Sequence, residues 1–143
     1  MKILGLDLGE KRIGAALADE DILIANAFDV IECNGKEIEK IIEIVNQYGV
    51  CKIIYGMPLK MDGSLSPKGE KIISIIEKLK EKINIEFIPW DERLTSKEAE
   101  NFLLSANLSR KKRKKIIDKL SAQIILQSYL DSQILKNTPE ESF

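Results

Sequence analysis

The sequence of 143 residues contains no histidine, which excludes every mechanism with an imidazole base and every metal site with an imidazole ligand. Chemistry must run on carboxylates, lysine, arginine, hydroxyls or bound hard metal ions. Cysteine is scarce. Cys33 and Cys51 lack CxxC spacing and a helix-like segment separates them, so they read as reduced structural thiols in preference to a metal site or a disulfide. No apolar run approaches the roughly 20 residues of a membrane span, and Lys2 leads straight into a strand instead of a signal core. The expectation is a cytoplasmic protein with no membrane partner.

What is present fits one globular domain: 44% of residues are hydrophobic and 31% charged, and a second catalytic domain has no room. The domain is expected over 1–136, with a mobile, patternless tail over 137–143. No repeat or low-complexity segment interrupts it. A net charge of −1 hides Arg110-Lys111-Lys112-Arg113-Lys114-Lys115, six consecutive cations balanced by an acidic remainder.

The chain is organised around its first fourteen residues. Ile3-Leu4-Gly5-Leu6 reads as a short strand buried on both faces. Side chains alternate along a strand, so Ile3, Gly5 and Asp7 share one face, with Asp7 at the strand's end. Ligands of α/β sheets gather at such ends. Gly9 permits a tight reversal into Ile13-Gly14-Ala15-Ala16-Leu17-Ala18, which leaves Lys11 and Arg12 in the turn beside the carboxylate.

The segment 22–31 reads as a third, antiparallel strand, completing a meander. Asn34-Gly35-Lys36-Glu37 predicts a helix start with an acid three past the cap, and Gly49 ends that helix. Cys51 to Met57 is a fourth strand, brought by a crossover to a parallel position beside the first. Pro58 to Ser64 is a loop at the same sheet edge as Asp7. Ser66-Pro67 opens a second helix. Ile85 to Trp90 is a fifth strand, at an edge because Pro89 has no amide donor. Thr95-Ser96-Lys97-Glu98 is a capping box for a third helix through Leu104, and Ser109 caps a long final helix to about Leu135. The order βββαβαβαα gives the α/β class: a mixed five-stranded sheet, strands 1 to 3 antiparallel and strands 1, 4 and 5 parallel, flanked by helices.

This topology brings Asp7, the Asp62 loop and Asp91-Glu92 to one sheet edge. In the final helix Asp118 shares a stripe with Ala122, Ile125 and Tyr129, and the stripe is otherwise core-like. A carboxylate so placed needs a cation, either a metal ion or Lys11, Arg12 or Arg93. Several carboxylates without imidazole form an oxygen-only site that suits Mg²⁺ or Mn²⁺. Two such ions about 4 Å apart promote in-line attack at phosphorus, so Asp7, Asp91, Glu92 and Asp118 are the candidate catalytic and metal-binding residues.

Six cations opening a helix oppose its dipole and repel one another, so stability does not account for Arg110 to Lys115. Phosphate binding does. Arg93 and Thr95, with Ser96, can add phosphate donors, although capping needs no ligand. Lys11, Arg12, Arg93, Thr95, Arg110, Lys111, Lys112, Arg113, Lys114 and Lys115 are the candidate nucleic-acid contacts. Trp90 and Tyr55 are aromatic, with core packing expected for both.

Asp7-Leu8-Gly9-Glu10-Lys11-Arg12-Ile13-Gly14, Gly56-Met57-Pro58-Leu59 with Met61-Asp62-Gly63-Ser64, Asp91-Glu92-Arg93-Leu94-Thr95-Ser96, and Asp118 with Ile125-Leu126-Gln127-Ser128-Tyr129-Leu130 together resemble the YqgF family over nearly the whole chain. The resemblance implies a ribonuclease-H-like fold and a metal-dependent nuclease. Its substrate is implied to be the 5′ end of precursor 16S ribosomal RNA, or alternatively a Holliday junction in branched DNA. Asp7, Asp118 and the Asp91-Glu92 pair match the family's acidic positions. Which member of the pair holds metal is left open, because a one-residue shift at a strand end swaps the face. Asp62 is the next candidate. The Asp7-Leu8-Gly9 turn also resembles the phosphate turn of actin-like ATPases and sugar kinases, but those have two domains. A noncatalytic nucleic-acid module on the same fold is a third reading. Either a monomer or a homodimer fits.

Overall fold

The computed structural model describes residues 1–58, 62–91 and 110–137, with side chains in the last helix described from 119 to 134. The elements are β1 (Lys2–Leu8), β2 (Arg12–Asp19), β3 (Asn26–Glu32), α1 (Glu37–Tyr48), β4 (Val50–Met57), α2 (Pro67–Lys82), β5 (Glu86–Asp91) and α3 (Arg110–Asn137). The expected helix from Thr95 to Leu104 and the tail over 138–143 lie outside the described residues. Asn137 closes α3 and does not begin the tail.

The strands form one sheet in the order β3-β2-β1-β4-β5. β1 is antiparallel to β2 and parallel to β4, β2 is antiparallel to β3, and β4 is parallel to β5. The expected meander and parallel set are both present. Strand alternation sorts the core into two layers. Leu4, Leu6 and Leu8 of β1 join Ile53 and Tyr55 of β4 against α1 and α2. Ile3 joins Ala16, Ala18 and Ile54 against Ala122, Ile125, Leu126, Tyr129 and Leu130 of α3.

Small residues on that second face let α3 lie close to the sheet. A Cβ on Gly5 would stand 2.7 Å from Leu126 Cβ and 3.1 Å from the Ala122 carbonyl oxygen, so the helix crosses β1 where β1 has no side chain. Polar contacts fix the helix along its axis. The Gln127 side chain accepts the Ala25 N–H at 2.8 Å and donates to the Leu23 carbonyl at 3.2 Å, and Gln123 donates to the Ala25 carbonyl at 3.0 Å.

Two local expectations are corrected. The third strand begins at Asn26, not at residue 22. Ile22 and Ile24 alternate like strand residues, but they are exposed, and the backbone of Leu23 and Ala25 is occupied by glutamine side chains instead of a neighbouring strand. The first helix is capped at Lys36 without a side-chain cap. Asn34 accepts the Lys36 N–H at 3.1 Å, and Glu37 accepts the Gly35 N–H at 2.8 Å. These short-range bonds replace the capping box, as asparagine's competition for nearby amides allows. The second helix starts as its sequence predicts, with Ser66 Oγ accepting from Gly69 N at 3.1 Å and Pro67 in the first turn.

Candidate nucleic-acid and metal site

Asp7 stands next to last in β1, half-buried, on the face that Ile3 and Gly5 present to α3. Its pairing partner on β2 is Gly14. On the other side Leu6 lies opposite Tyr55, so Gly56 is the residue of β4 that follows beside Asp7. Both glycines are buried. Neither neighbouring strand therefore brings a Cβ to the flank of the carboxylate, and carboxylate oxygens are the donors that suit a hard cation.

The direction of α3 brings residue 118 toward this end of β1. Ala122 and Leu126 meet Gly5, whereas Tyr129 lies farther back, with its hydroxyl 3.5 Å from Nζ of Lys52, the residue paired with Ile3. Helix numbers thus fall as strand numbers rise. The backbone of residue 118 precedes Ala122 by one turn on the Asp7 side of the crossing. The Asp118 side chain lies outside what is described.

Trp90 packs on the α3 side, where its indole N–H donates to Ser128 Oγ at 3.0 Å and its ring meets Tyr129 edge-on at 5.6 Å. Asp91, the last residue of β5 and exposed, follows Trp90 and by alternation faces away from α3. Its pairing partner is Met57, whose side chain belongs to the layer under α1 and α2. The described structure does not bring Asp91 to the face of Asp7. Glu92, Arg93 and Thr95 lie outside the described residues.

Lys11 is exposed in the β1–β2 turn, and Arg12 is the half-buried first residue of β2. The turn closes through the Gly9 N–H, which donates to the Arg12 carbonyl at 3.0 Å. Gly9 is required there because a Cβ would meet that carbonyl oxygen at 2.5 Å. Asp62 is exposed in the loop before α2. It accepts the Ser64 N–H at 2.9 Å and the Ser64 hydroxyl at 2.6 Å, which hold its carboxyl below the usual range. Arg110, Lys111, Lys112, Arg113, Lys114 and Lys115 form the first six residues of α3. Tyr55 is core. Among the described residues no three of His, Cys, Asp and Glu are placed to hold a metal ion. Sequence reasoning overlooked the Gln123 and Gln127 contacts; their spacing of four residues was the available signal.

A mixed sheet in this order, packed between helices, defines an α/β protein with the RuvC-like, ribonuclease-H-like fold. The fowlpox virus resolvase in complex with Holliday junction DNA superposes with a TM-score of 0.61 at 16% identity, covering 94% of this chain and 99% of the viral one. Thermus thermophilus RuvC with a Holliday junction substrate gives 0.58 at 12% identity, covering 94% and 96%. These likenesses establish the fold. The family model described as "RuvX: Holliday junction resolvase" matches residues 1–132, and the chain belongs to that RuvX/YqgF family. A relative from Caldanaerobacter subterraneus subsp. tengcongensis, named "Putative pre-16S rRNA nuclease", is 49% identical over 136 residues, covering 93% of this chain and 98% of the relative. Among the described residues no helix is long and apolar enough to cross a membrane.

Proposed function

We propose that this protein is a metal-dependent nuclease that hydrolyses phosphodiester bonds at the 5′ end of precursor 16S ribosomal RNA. The observation that carries the reading is Asp7, half-buried between two glycines at the end of the central strand, on the face crossed by a helix whose first six residues are cationic. The substrate is the one in the names of relatives that match along nearly their whole length.

Asp7, Glu92 and Asp118 are the residues that would hold Mg²⁺ or Mn²⁺. Asp91 faces away from α3 by strand parity, which favours Glu92 within the pair. Bound there, divalent ions supply charge neutralisation at the phosphoryl oxygens and a water more acidic than bulk. The chain's own contribution is placement. The sheet end fixes Asp7, α3 carries Asp118 toward it, and Lys11, Arg12, Arg93, Thr95 and the Arg110 to Lys115 block grip flanking phosphates.

The test compares cleavage of a precursor RNA and of a four-way DNA junction with Mg²⁺. Asp7→Asn and Asp118→Asn should abolish cutting and leave RNA affinity largely unchanged. Neutralising Arg110 to Lys115 should weaken binding across sequences and reduce its salt slope by about 0.7 to 0.9 for each phosphate no longer neutralised. Cutting that survives Asp7→Asn overturns the metal-site reading. Preferential cutting of the junction moves the substrate to branched DNA, and binding without cutting leaves only a nucleic-acid module.

A further inference from the structure

On the sheet face away from α3, a cleft of about 240 Å³ opens beside the β1–β2 turn. Leu8, Ile72 and Ile75 give it an aliphatic lining, Cys33 and the carboxylates of Glu10 and Glu37 line it too, and Lys68 and Lys71 come from the start of α2. Leu8 follows Asp7 directly and points to the opposite face. The cleft and the carboxylate therefore lie back to back at one end of β1, separated by the thickness of a single strand.

Helix stability does not account for the two lysines, because cations near a helix N-terminus oppose the dipole. Lys71 reaches Glu10 at 3.9 Å, with both side chains more than 70% exposed, a pair of little stabilising value. Lys68 has no ion pair or hydrogen bond among the described residues. An apolar lining with the unengaged Lys68 ammonium beside it, and with carboxylates that can accept from ring amino groups, is complementary to a heterocycle that carries a phosphate. The volume lies below the roughly 300 Å³ at which drug-sized sites begin, so the cleft suits one ring system and not a stacked pair.

We propose that this cleft receives one unpaired nucleotide of the nucleic-acid substrate, its base against Leu8, Ile72 and Ile75 and its phosphate at Lys68 and Lys71. The inference rests on the nucleic-acid side of the function proposed above. Unstacked bases are recognised by packing against protein side chains and by hydrogen bonds to their edges. Glu10 lines the same cleft and offers an acceptor to an exocyclic amino group. Because the cleft backs onto Asp7 across one strand, the substrate passes around the end of β1 to reach both, and the consequence is a preference for an unpaired nucleotide a short distance along the chain from the bond that is cut.

Photocrosslinking tests this without requiring cleavage. An RNA hairpin carries 4-thiouridine either as a single unpaired nucleotide or at a paired position, and is irradiated with the Asp7→Asn protein in Mg²⁺. Crosslinks from the unpaired position should map to residues 8–10, 33 and 68–75. Ile75→Trp, which fills the cleft, should lower their yield at least about fivefold, in line with removing the surface against which one base packs. Because Ile75 is partly buried, exposed Lys68 provides a second variant. Lys68→Ala should reduce the salt slope for the unpaired RNA by about 0.7 and leave that for the paired RNA unchanged. Crosslinks that map elsewhere, or that neither variant alters, overturn the proposal. Failure of the wild-type protein to cut any RNA overturns the nuclease reading alone, since the crosslink pattern is read independently of cutting.

Discussion

The side-chain carbonyl of Gln127 accepts the backbone N–H of Ala25 at 2.8 Å across 102 residues of sequence. The same side chain donates to Leu23 and to Asp131, and Gln123 one turn earlier takes the Ala25 carbonyl. The loop between β2 and β3 is thus clasped by the helix that carries Asp118. The clasp supplies backbone pairing that no strand provides there, and it sets the helix's position along its axis.

Replacing Gln127 with alanine removes both of its bonds to the loop. The expected cost is about 1 to 3 kcal/mol, because the Ala25 N–H is left in a part-buried place. Urea unfolding checks this. Gln127→Glu keeps the acceptor for Ala25 but turns a carboxylate oxygen toward the Leu23 carbonyl and the Asp131 carboxylate, so it should be no more stable than Gln127→Ala.

A second prediction follows from the crossing of β1 and α3. Gly5→Ala puts a methyl group 2.7 Å from Leu126 Cβ, and the helix must move away. The expected destabilisation is about 1 to 3 kcal/mol, the range for overpacking a filled core. Thermal melts measure it. Adding Leu126→Ala should recover none of the loss, since alanine keeps the Cβ that clashes and the Ala122 carbonyl stays 3.1 Å from the new carbon.

Strand parity turns Asp91 away from the face of Asp7, and the proposed metal ligand of the pair is Glu92. Glu92→Gln is expected to weaken Mn²⁺ binding and to lower the cleavage rate by about 100-fold or more, the scale of removing one electrostatic group from a reacting site. Asp91→Asn should change both by less than about threefold, within the range of a surface substitution. Mn²⁺ titration followed by electron paramagnetic resonance reads binding apart from activity. Equal effects of the two variants would show that the strand's alternation does not extend to the site.

Cys33 gives a prediction in pH. Burial, helped by Glu37 and Glu32, raises its thiol above the ordinary value of 9.0. Thiolate is the reactive form, so alkylation by iodoacetamide at pH 8 should be slower than that of a free cysteine, and its rate should still be climbing above pH 9, where that of a free cysteine levels off. The native thiol keeps its proton to higher pH than the unfolded one. Its share of stability is therefore present below pH 9 and is lost as pH rises through the native value. Guanidinium unfolding of wild type and Cys33→Ser across pH 8 to 10.5 checks the sign.

Much of this architecture is legible from residue patterns, because apolar alternation in β1 and β4 and the Ser66-Pro67 helix start each rest on local chemistry. The departures depend on distant partners. Ile22-Leu23-Ile24 has a strand's alternation, yet its neighbours are glutamine side chains from the other end of the chain. Asn34 has a cap's identity, yet it closes a turn two residues long. The face of Asp91 follows from the contacts of Trp90 with the last helix and from the register that pairs Met57 with Asp91. Asp7 was legible because a lone carboxylate among apolar neighbours at a strand end carries its own signal.

Pro89 lies in β5 at one border of the sheet, opposite Tyr55. A proline can sit there only with its missing donor on the outward side, which spoils that border as a template for another chain. Any assembly that enlarged the sheet would have to grow from the Asn26–Glu32 border, so one imino acid gives the molecule a polarity of association.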